Sequence, residues 1–354
     1  MSQKALILRE VATPLILARR PIPQPGKDQL LVKVLVAGLN PHDQRTRDVG
    51  LFVTKYPYVP GSDLVGEIVA ISEGEHSARF VVGDHVFGHT FVADSNATDA
   101  SDFNPLQQYA LADARFVGKV ADTGLSDDEA STIPVIVLAG FIALFSKSGL
   151  NLPPPFSPEA KSFSYADATL LVIGGGSNTG MATIELARLA GFGKILTVAG
   201  LQNEAQLRSR GATHIVDRHS ANALDQICNI TGDDLIYAVD TVNTGLKQDL
   251  GIAALSNSKR GTLITLRRPE GEFGSDRIGT KTAGYDRRLV LGVSPGHPEV
   301  TIDFWKELPA WLKDGKIHPS KYTVVKGLDA DAVNRALNRF SDKQVVKPNV
   351  HPWE

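Results

Sequence analysis

Along the first third of the chain, apolar residues come in short runs broken by turns. Leu30-Leu31-Val32-Lys33-Val34-Leu35-Val36 and Leu64-Val65-Gly66-Glu67-Ile68-Val69-Ala70-Ile71 read as strands. Pro21, Pro23, Pro25-Gly26, Pro60-Gly61 and Gly83-Asp84 punctuate them. Strand runs at this spacing, with no helical period between them, predict a barrel-like β unit.

The period then changes. In Ser126-Asp127-Asp128-Glu129 a serine precedes a glutamate by three places, the capping box of a helix that carries Ala130 and Ser131. An apolar helix is predicted from Val135 to about Ser146, and the Pro-interrupted polar stretch 152–167 reads as a surface insert. From Thr169 strands and helices alternate. Strands are predicted at Thr169–Ile173, Lys194–Ala199, His214–Asp217 and Leu235–Asp240, with helices at Met181–Ala190, Glu204–Arg210 and Ala223–Ile230. The first of these strands is apolar throughout, as a strand buried on both faces should be. Such alternation predicts a parallel sheet covered by helices. The tail reads as a helix at Val300–Leu312, a strand at Tyr322–Val325, a helix at Ala330–Phe340 and a short strand at Val345-Val346. It is expected to rejoin the N-terminal unit.

Composition narrows the function classes. At 354 residues the chain has room for two domains, at ~100–200 residues each. Lys plus Arg is 37 and Asp plus Glu 39, for a net charge of −2, and no basic run stands out. Nothing there marks a nucleic-acid or acidic-membrane partner. Cys228 is the one cysteine, so an internal disulfide and a cysteine-built structural zinc site are excluded. The first residues show no cleavable leader pattern, and the longest apolar stretch, Val135 to Phe145, falls short of the ~20 residues that cross a bilayer. A reducing, cytoplasmic location is the expectation.

The candidate chemistry begins at Gly174-Gly175-Gly176-Ser177-Asn178-Thr179-Gly180, between a buried strand and an amphipathic helix. Glycines there permit a sharp turn and close approach to a pyrophosphate, whose charge the helix N-terminus favours. A tight turn without a ligand is the competing reading. Where NAD-selective folds of this type carry an acid ~20 residues further on, this chain has Gly200, in Val198-Ala199-Gly200-Leu201-Gln202-Asn203. The missing acid favours NADPH over NADH. Gly200 and Asn203 are candidate contacts, and Arg218 is the candidate cation for a 2′-phosphate, with Arg208 further off.

Three further stretches carry a resemblance. Val36-Ala37-Gly38-Leu39-Asn40-Pro41-His42-Asp43, Pro60-Gly61-Ser62-Asp63-Leu64-Val65-Gly66-Glu67-Ile68-Val69 and Val82-Gly83-Asp84-His85-Val86-Phe87-Gly88 resemble landmarks of the medium-chain dehydrogenase/reductase superfamily. The glycine turn, Arg210–Asp217 and Tyr237–Thr241 are similar to its cofactor domain. The likeness covers nearly the whole chain and is greatest to the zinc-free quinone-reductase-like branch, which includes trans-acting enoyl reductases of fungal polyketide pathways. It implies an α/β chain with two domains. A GroES-like β-barrel catalytic domain would take residues 1–134 and 312–354, and a Rossmann domain with a doubly wound parallel sheet residues 135–311. Monomer and homodimer both occur among such proteins.

The resemblance also bears on the site. Zinc-dependent members have Cys near Asn40 and Gly-His-Glu near Gly61-Ser62-Asp63, so Asn40 and Ser62 stand where two ligands would. No metal site is expected, and His85 and His89, read as lying on strand and loop, are taken as structural or surface residues. Asn40 and Tyr56 are the candidate hydrogen-bond donors to substrate, with a turn-forming Asn and a packed aromatic as their competing readings. Tyr58 rivals Tyr56, and Asp43 is assigned to ordering the turn. Ala139 replaces a Thr that touches the carboxamide in relatives. The segments 91–106, 267–285 and the surroundings of Phe304 are expected to shape the substrate pocket. The function implied is zinc-independent, NADPH-dependent reduction of an activated C=C or a quinone, on a small-molecule substrate or in partnership with a polyketide synthase. Alternatives are a zinc-free carbonyl or alcohol dehydrogenase, and a non-catalytic NADPH-binding sensor or scaffold.

Overall fold

The strand runs of the first third fold as antiparallel pairs. In the computed structural model, which describes residues 1–91, 99–268, 271, 274–342 and 346–354, β1 (Ser2–Ile7) pairs with β2 (Ile16–Pro21). β3 (Gln29–Gly38) is the spine of a larger sheet. After α1 (Pro41–Val49) the chain returns as β4 (Asp63–Ile71), antiparallel to β3, and then as β5 (His85–His89), β6 (Tyr109–Asp113) and β7 (Val117–Lys119). β6 lies against β3 on the side away from β4. Alternation along β3 sends Leu30, Val32 and Val34 into the main core, while Leu31 packs with Phe103 and Leu111. α2 (Asp127–Ser131) opens with the predicted capping box: Ser126 Oγ accepts from the Glu129 amide at 3.3 Å, and Glu129 Oε2 from the Ser126 amide at 2.9 Å. α3 (Pro134–Phe145) follows.

The second sheet is wholly parallel. Its strands are β8 (Thr169–Ile173), β9 (Lys194–Ala199), β10 (His214–Asp217), β11 (Tyr237–Asp240), β12 (Gly261–Thr265) and β13 (Tyr285–Leu289). They lie in the order β10-β9-β8-β11-β12-β13. α4 (Asn178–Ala190), α5 (Glu204–Arg210), α6 (Ala223–Thr231), α7 (Asp249–Ala253) and α8 (Ser275–Ile278) connect them. The order reverses at β8, which makes the loop after β8 the topological switch point where ligands of such sheets bind. The insert 152–167 is less superficial than its composition predicts. Tyr165 is buried, donates its hydroxyl to the Pro153 carbonyl at 2.5 Å and packs on Phe192.

The tail supplies α9 (Pro298–Lys313), β14 (Tyr322–Lys326), α10 (Ala330–Asn338) and β15 (Lys347–His351). β15 runs parallel to β14 and antiparallel to the end of β3. The chain divides into a barrel unit of Met1–Val135 and Val293–Glu354 and a parallel-sheet unit of Ile136–Gly292. This moves 293–311 out of the domain that the sequence reading gave it. The reason lies on α9, where Phe304 and Trp305 are fully buried and the Trp305 ring meets Phe87 of β5 edge-on at 5.9 Å. Phe304 is thus a core residue rather than a pocket wall. Val345 of the predicted last strand lies outside the described residues, and the strand found there starts at Lys347. His85 and His89 both belong to β5, not to a strand and a loop.

Trp305 also donates its indole N–H to Ser294 Oγ at 2.9 Å. Trp305→Ala leaves both a large void and an unpaired hydroxyl in the barrel unit. Denaturant unfolding followed by circular dichroism should show a loss of about 3–5 kcal/mol.

Candidate active site

At the end of β8 the chain turns through Gly174, whose φ of +83° is the left-handed conformation that glycine adopts without strain. A Cβ on Gly175 would sit 1.9 Å from Thr197 Oγ1, and one on Gly180 would sit 2.2 Å from the Gly174 carbonyl oxygen. The turn is therefore packed against β9 and against the first turn of α4, with no room for side chains. Ser177 is the N-cap of α4; its hydroxyl accepts from the Gly180 amide at 3.0 Å and donates to the Gly174 carbonyl at 2.8 Å. The thirteen-residue helix that starts there presents its N-terminal N–H groups at the switch point.

Neighbouring strand ends complete the arrangement. Asn203 reaches back so that its Nδ2 lies 2.6 Å from where a Gly176 Cβ would be. Gly200 precedes a short 3-10 turn with φ of −71°, an ordinary backbone, and a Cβ there would lie 2.3 Å from Gln202 Oε1. The Arg218 amide donates to the Ala199 carbonyl at 3.0 Å, which sets Arg218 beside the end of β9. Its side chain is exposed, and Nε donates to His219 Nε2 at 3.1 Å. Arg208 is committed elsewhere, to Glu204 at 2.8 Å and to the Thr213 carbonyl. Gly174–Gly180, Gly200, Asn203 and Arg218 thus gather at the carboxyl ends of β8, β9 and β10. Asp240, at the end of β11, is buried and accepts from the amides of Val242 and Asn243, ordering the loop beside the glycine turn. Burial nevertheless pushes its carboxyl up from the ordinary range.

The barrel unit holds a second polar group, around the N-terminus of α1. Asn40 caps this helix and is buried. Its Nδ2 donates to Asp63 Oδ2 at 2.9 Å, and its Oδ1 accepts from Lys347 Nζ at 3.3 Å. Lys347 Nζ is ion-paired with the same Asp63 oxygen, and both side chains are sealed from solvent. Asp63 Oδ1 accepts from the Val135 amide at 2.9 Å. Gly38 makes room for this pair, because a Cβ there would meet Lys347 Cε and the Ser131 carbonyl, each at 2.8 Å. Asp43 orders the turn, as its sequence context suggests, by accepting from the Asn40 amide at 2.7 Å. Burial raises the Asp43 carboxyl, while His42 and the Asn40 amide pull it down.

Two imidazoles flank this group. His42 Nε2 lies 2.5 Å from Ser62 Oγ and 3.4 Å from Asp43 Oδ1. His89 is buried with Nδ1 unpartnered, and burial lowers it to about 4. Its ring stacks on Phe91, which meets Phe52 edge-on at 5.3 Å, and Phe52 in turn meets the edge of His42 at 6.0 Å. Among the described residues, no group of three or more His, Cys, Asp or Glu is placed to hold a metal ion.

The structure does not bring Asn40 and Tyr56 together. The Tyr56 hydroxyl lies 3.5 Å from where a Cβ on Gly50, the C-cap of α1, would be. Asn40 caps the other end, so the helix separates them by ~15 Å at ~1.5 Å per residue. Tyr56 is exposed. Tyr58 is buried in the core, which removes it as a rival donor, and burial pushes its hydroxyl up to about 12. Ala139 is small because Gly292 passes close by: a Cβ on Gly292 would lie 2.8 Å from the Ala139 Cα. Sequence reasoning missed Lys347, which no local pattern marks. It passed over His42, although this residue stands inside a quoted landmark.

The family described as the alcohol dehydrogenase GroES-like domain matches residues 26–125. The chain is 30% identical over 335 residues to the dehydrogenase azaJ of Aspergillus niger, covering 92% of this chain and 91% of that one. This chain belongs to the medium-chain dehydrogenase/reductase superfamily. It is also 29% identical to the enoyl reductase component lovC of the lovastatin nonaketide synthase of Aspergillus terreus, over 87% of this chain and 84% of the relative. The trans-enoyl reductase opdC of Penicillium oxalicum is 30% identical over 69% of this chain, and the match spans 65% of its length. The fold is that of the CurK enoyl reductase, with a TM-score of 0.73 at 20% identity over 99% of both chains. Members of this superfamily are oxidoreductases, and membership implies a nicotinamide cofactor.

Two stability measurements follow. Lys347→Met strands the buried Asp63 carboxylate and should cost about 3–5 kcal/mol, whereas Asp63→Asn combined with Lys347→Met should cost less than the sum of the single changes. His89 has a folded value near 4 against 6.5 for the free group, so its contribution is full above pH ~6.5 and falls away as pH drops toward ~4. His89→Gln should flatten the fall by about 3 kcal/mol in unfolding series across that range.

Proposed function

We propose that the chain is an NADPH-dependent, zinc-independent reductase that delivers hydride to an activated C=C bond or a quinone. The observation that carries this reading is the polar group around Asn40. Where zinc-dependent relatives have a thiolate and an imidazole, this chain has an amide and a hydroxyl, with the Lys347 ammonium bound to the amide. A catalytic zinc needs three N, S or O ligands of suitable charge, and a cation there would face an ammonium. The donor set does not fit zinc.

Without a Lewis acid, reduction is easiest where incoming charge spreads onto an enolate-like oxygen, as in an enone, a quinone or an enoyl thioester. The bound nicotinamide supplies the hydride. On this reading Gly174–Gly180 cradle its pyrophosphate, and Gly200, Asn203 and Arg218 form the phosphate side of the ribose site. Asn40 positions the α1 turn, its amide being committed to Asp63 and Lys347. The similarity to lovC, the enoyl reductase component of a nonaketide synthase, supports a polyketide enoyl thioester among the substrates and a synthase as partner.

NADPH oxidation with a panel of enones and quinones, by protein treated with a chelator, should proceed undiminished. Turnover of aldehydes alone would overturn the reading in favour of a carbonyl dehydrogenase. In fluorescence titrations NADPH should bind more tightly than NADH. Arg218→Ala should weaken NADPH by about tenfold or more and leave NADH nearly unchanged, whereas equal loss for both would remove Arg218 from the phosphate site.

A further inference from the structure

We propose that the barrel unit carries a docking cleft for a segment of a partner protein that alternates acidic and apolar side chains. The cleft lies between the turn 79–84, the end of β7 and α9. The inference stands apart from the reductase reading and from the nucleotide site.

The cleft has a volume of about 490 Å3, and its walls belong to the barrel unit alone. A close approach builds its floor: a Cβ on Gly118 would lie 3.1 Å from Pro309 Cγ, so α9 packs directly on β7. Phe80 and Pro309 are buried and make this floor apolar. Pro309 stands inside α9 and has no N–H to give to the Trp305 carbonyl one turn earlier, and both residues line the cleft. An occupant that brings backbone N–H groups is favoured there.

The walls are cationic. Arg79, Lys119, Lys306 and Lys313 line the cleft against the carboxylate of Asp122, in a chain whose 37 basic and 39 acidic residues nearly balance. Arg79 donates from Nη2 to the Ala114 and Val117 carbonyls at 2.8 and 2.7 Å, which orients the guanidinium without neutralising it. It lies over the Phe80 ring at 4.6 Å, and Lys119 Nζ lies over the same ring at 5.8 Å. Lys306 pairs with Asp303 at 2.7 Å, but both side chains are more than half exposed, so a partner's carboxylate can replace Asp303 at little cost. Lys313, two turns further along α9, is exposed.

The apolar surface continues past Phe80. Val81 and Val82 are each 62% exposed. Their turn is held in place: Asp84 Oδ2 accepts from the Val81 amide at 2.9 Å, the Asp84 amide donates to the Val81 carbonyl at 3.1 Å, and the Gly83 amide donates to the Ile68 carbonyl at 2.9 Å. The same Asp84 oxygen receives Lys119 Nζ at 2.8 Å. One carboxylate therefore fixes both the valine turn and a cation of the cleft. An apolar pair held beside a cationic cleft complements a segment in which acids alternate with apolar residues. A small anion would fill the cleft and leave the valines in water. A flat anionic surface would meet the valines without entering the cleft.

The test selects displayed random twelve-residue peptides on the intact chain and measures the recovered peptides by fluorescence polarisation. They should be rich in Asp and Glu interspersed with Leu, Val or Phe, and high salt should weaken them. Lys306→Glu and Lys313→Glu should each weaken binding by about tenfold, and Val82→Ser by about fivefold. All three side chains are exposed, so melting temperatures should stay near the wild-type value. Amide resonances of residues 79–84 and of α9 should shift in 15N spectra when peptide is added. A selection that recovers no peptide, or only neutral or basic ones, overturns the proposal, as do acidic peptides whose binding the three variants leave unchanged. Inorganic phosphate or phosphatidylserine vesicles are the competing probes. Binding of either that the variants weaken, with no peptide recovered, overturns the proposal in favour of a small anion or a membrane surface.

Discussion

A charged pair held without water is the constraint on which the barrel unit depends. Asp63 opens β4, Lys347 opens β15, and neither side chain is solvated. Burying both ions costs several kcal/mol each unless their remaining bonding positions are filled. They are filled by the Asn40 amide, by the Val135 N–H and by the Asn40 carbonyl oxygen. The same contacts fix where α1 begins, where β4 begins and where the C-terminal strand docks. Gly38 is part of the device, because any side chain there would close the passage that the lysine stem occupies. The N-terminus of α1, and with it His42, inherits its position from this pair.

Legibility in the sequence followed how local each interaction is. β8 to β11 of the parallel-sheet unit were readable, because strands buried on both faces announce themselves as apolar runs, whereas β12 and β13 were not read. β9, α5 and β10 were found with the boundaries that the structure has. β15 was not, because Lys347-Pro348-Asn349-Val350-His351 is buried through pairing rather than through apolar content. Asn349, for example, is fully buried with its amide N–H groups spent on Asp128. The Asn40–Lys347 contact spans 307 residues, and no pattern within a window could reveal it. α9 was recognised as a helix but placed in the wrong unit, since an amphipathic face shows that a helix packs, not what it packs against. At the candidate site, the glycine turn and Arg218 were readable from neighbouring strands. The separation of Asn40 from Tyr56 was not, because it depends on the helix between them.

The two polar groups of the protein handle charge in opposite ways. In the parallel-sheet unit the glycine turn, the N-terminus of α4 and the exposed guanidinium of Arg218 gather at the strand ends, an arrangement suited to an anion. In the barrel unit the chain neutralises itself first. Asp63, Lys347 and Asn40 satisfy one another. A site that has internally cancelled its charge can stabilise a modest, delocalised negative charge through one or two aimed donors.

On the proposed reading, the residues at positions 40 and 62 act together. A thiolate at position 40 and an imidazole at position 62 would bring a cation into the barrel site, and Lys347 would then be a repulsive neighbour. An amide at 40 instead makes Lys347 acceptable, because Asn40 can donate to the carboxylate and accept from the ammonium at once. A hydroxyl at 62 is short enough to leave room for the His42 ring and polar enough to hold its Nε2. Residues 40 and 62 are thus committed to protein partners, Asn40 to Asp63 and Lys347 and Ser62 to the His42 ring.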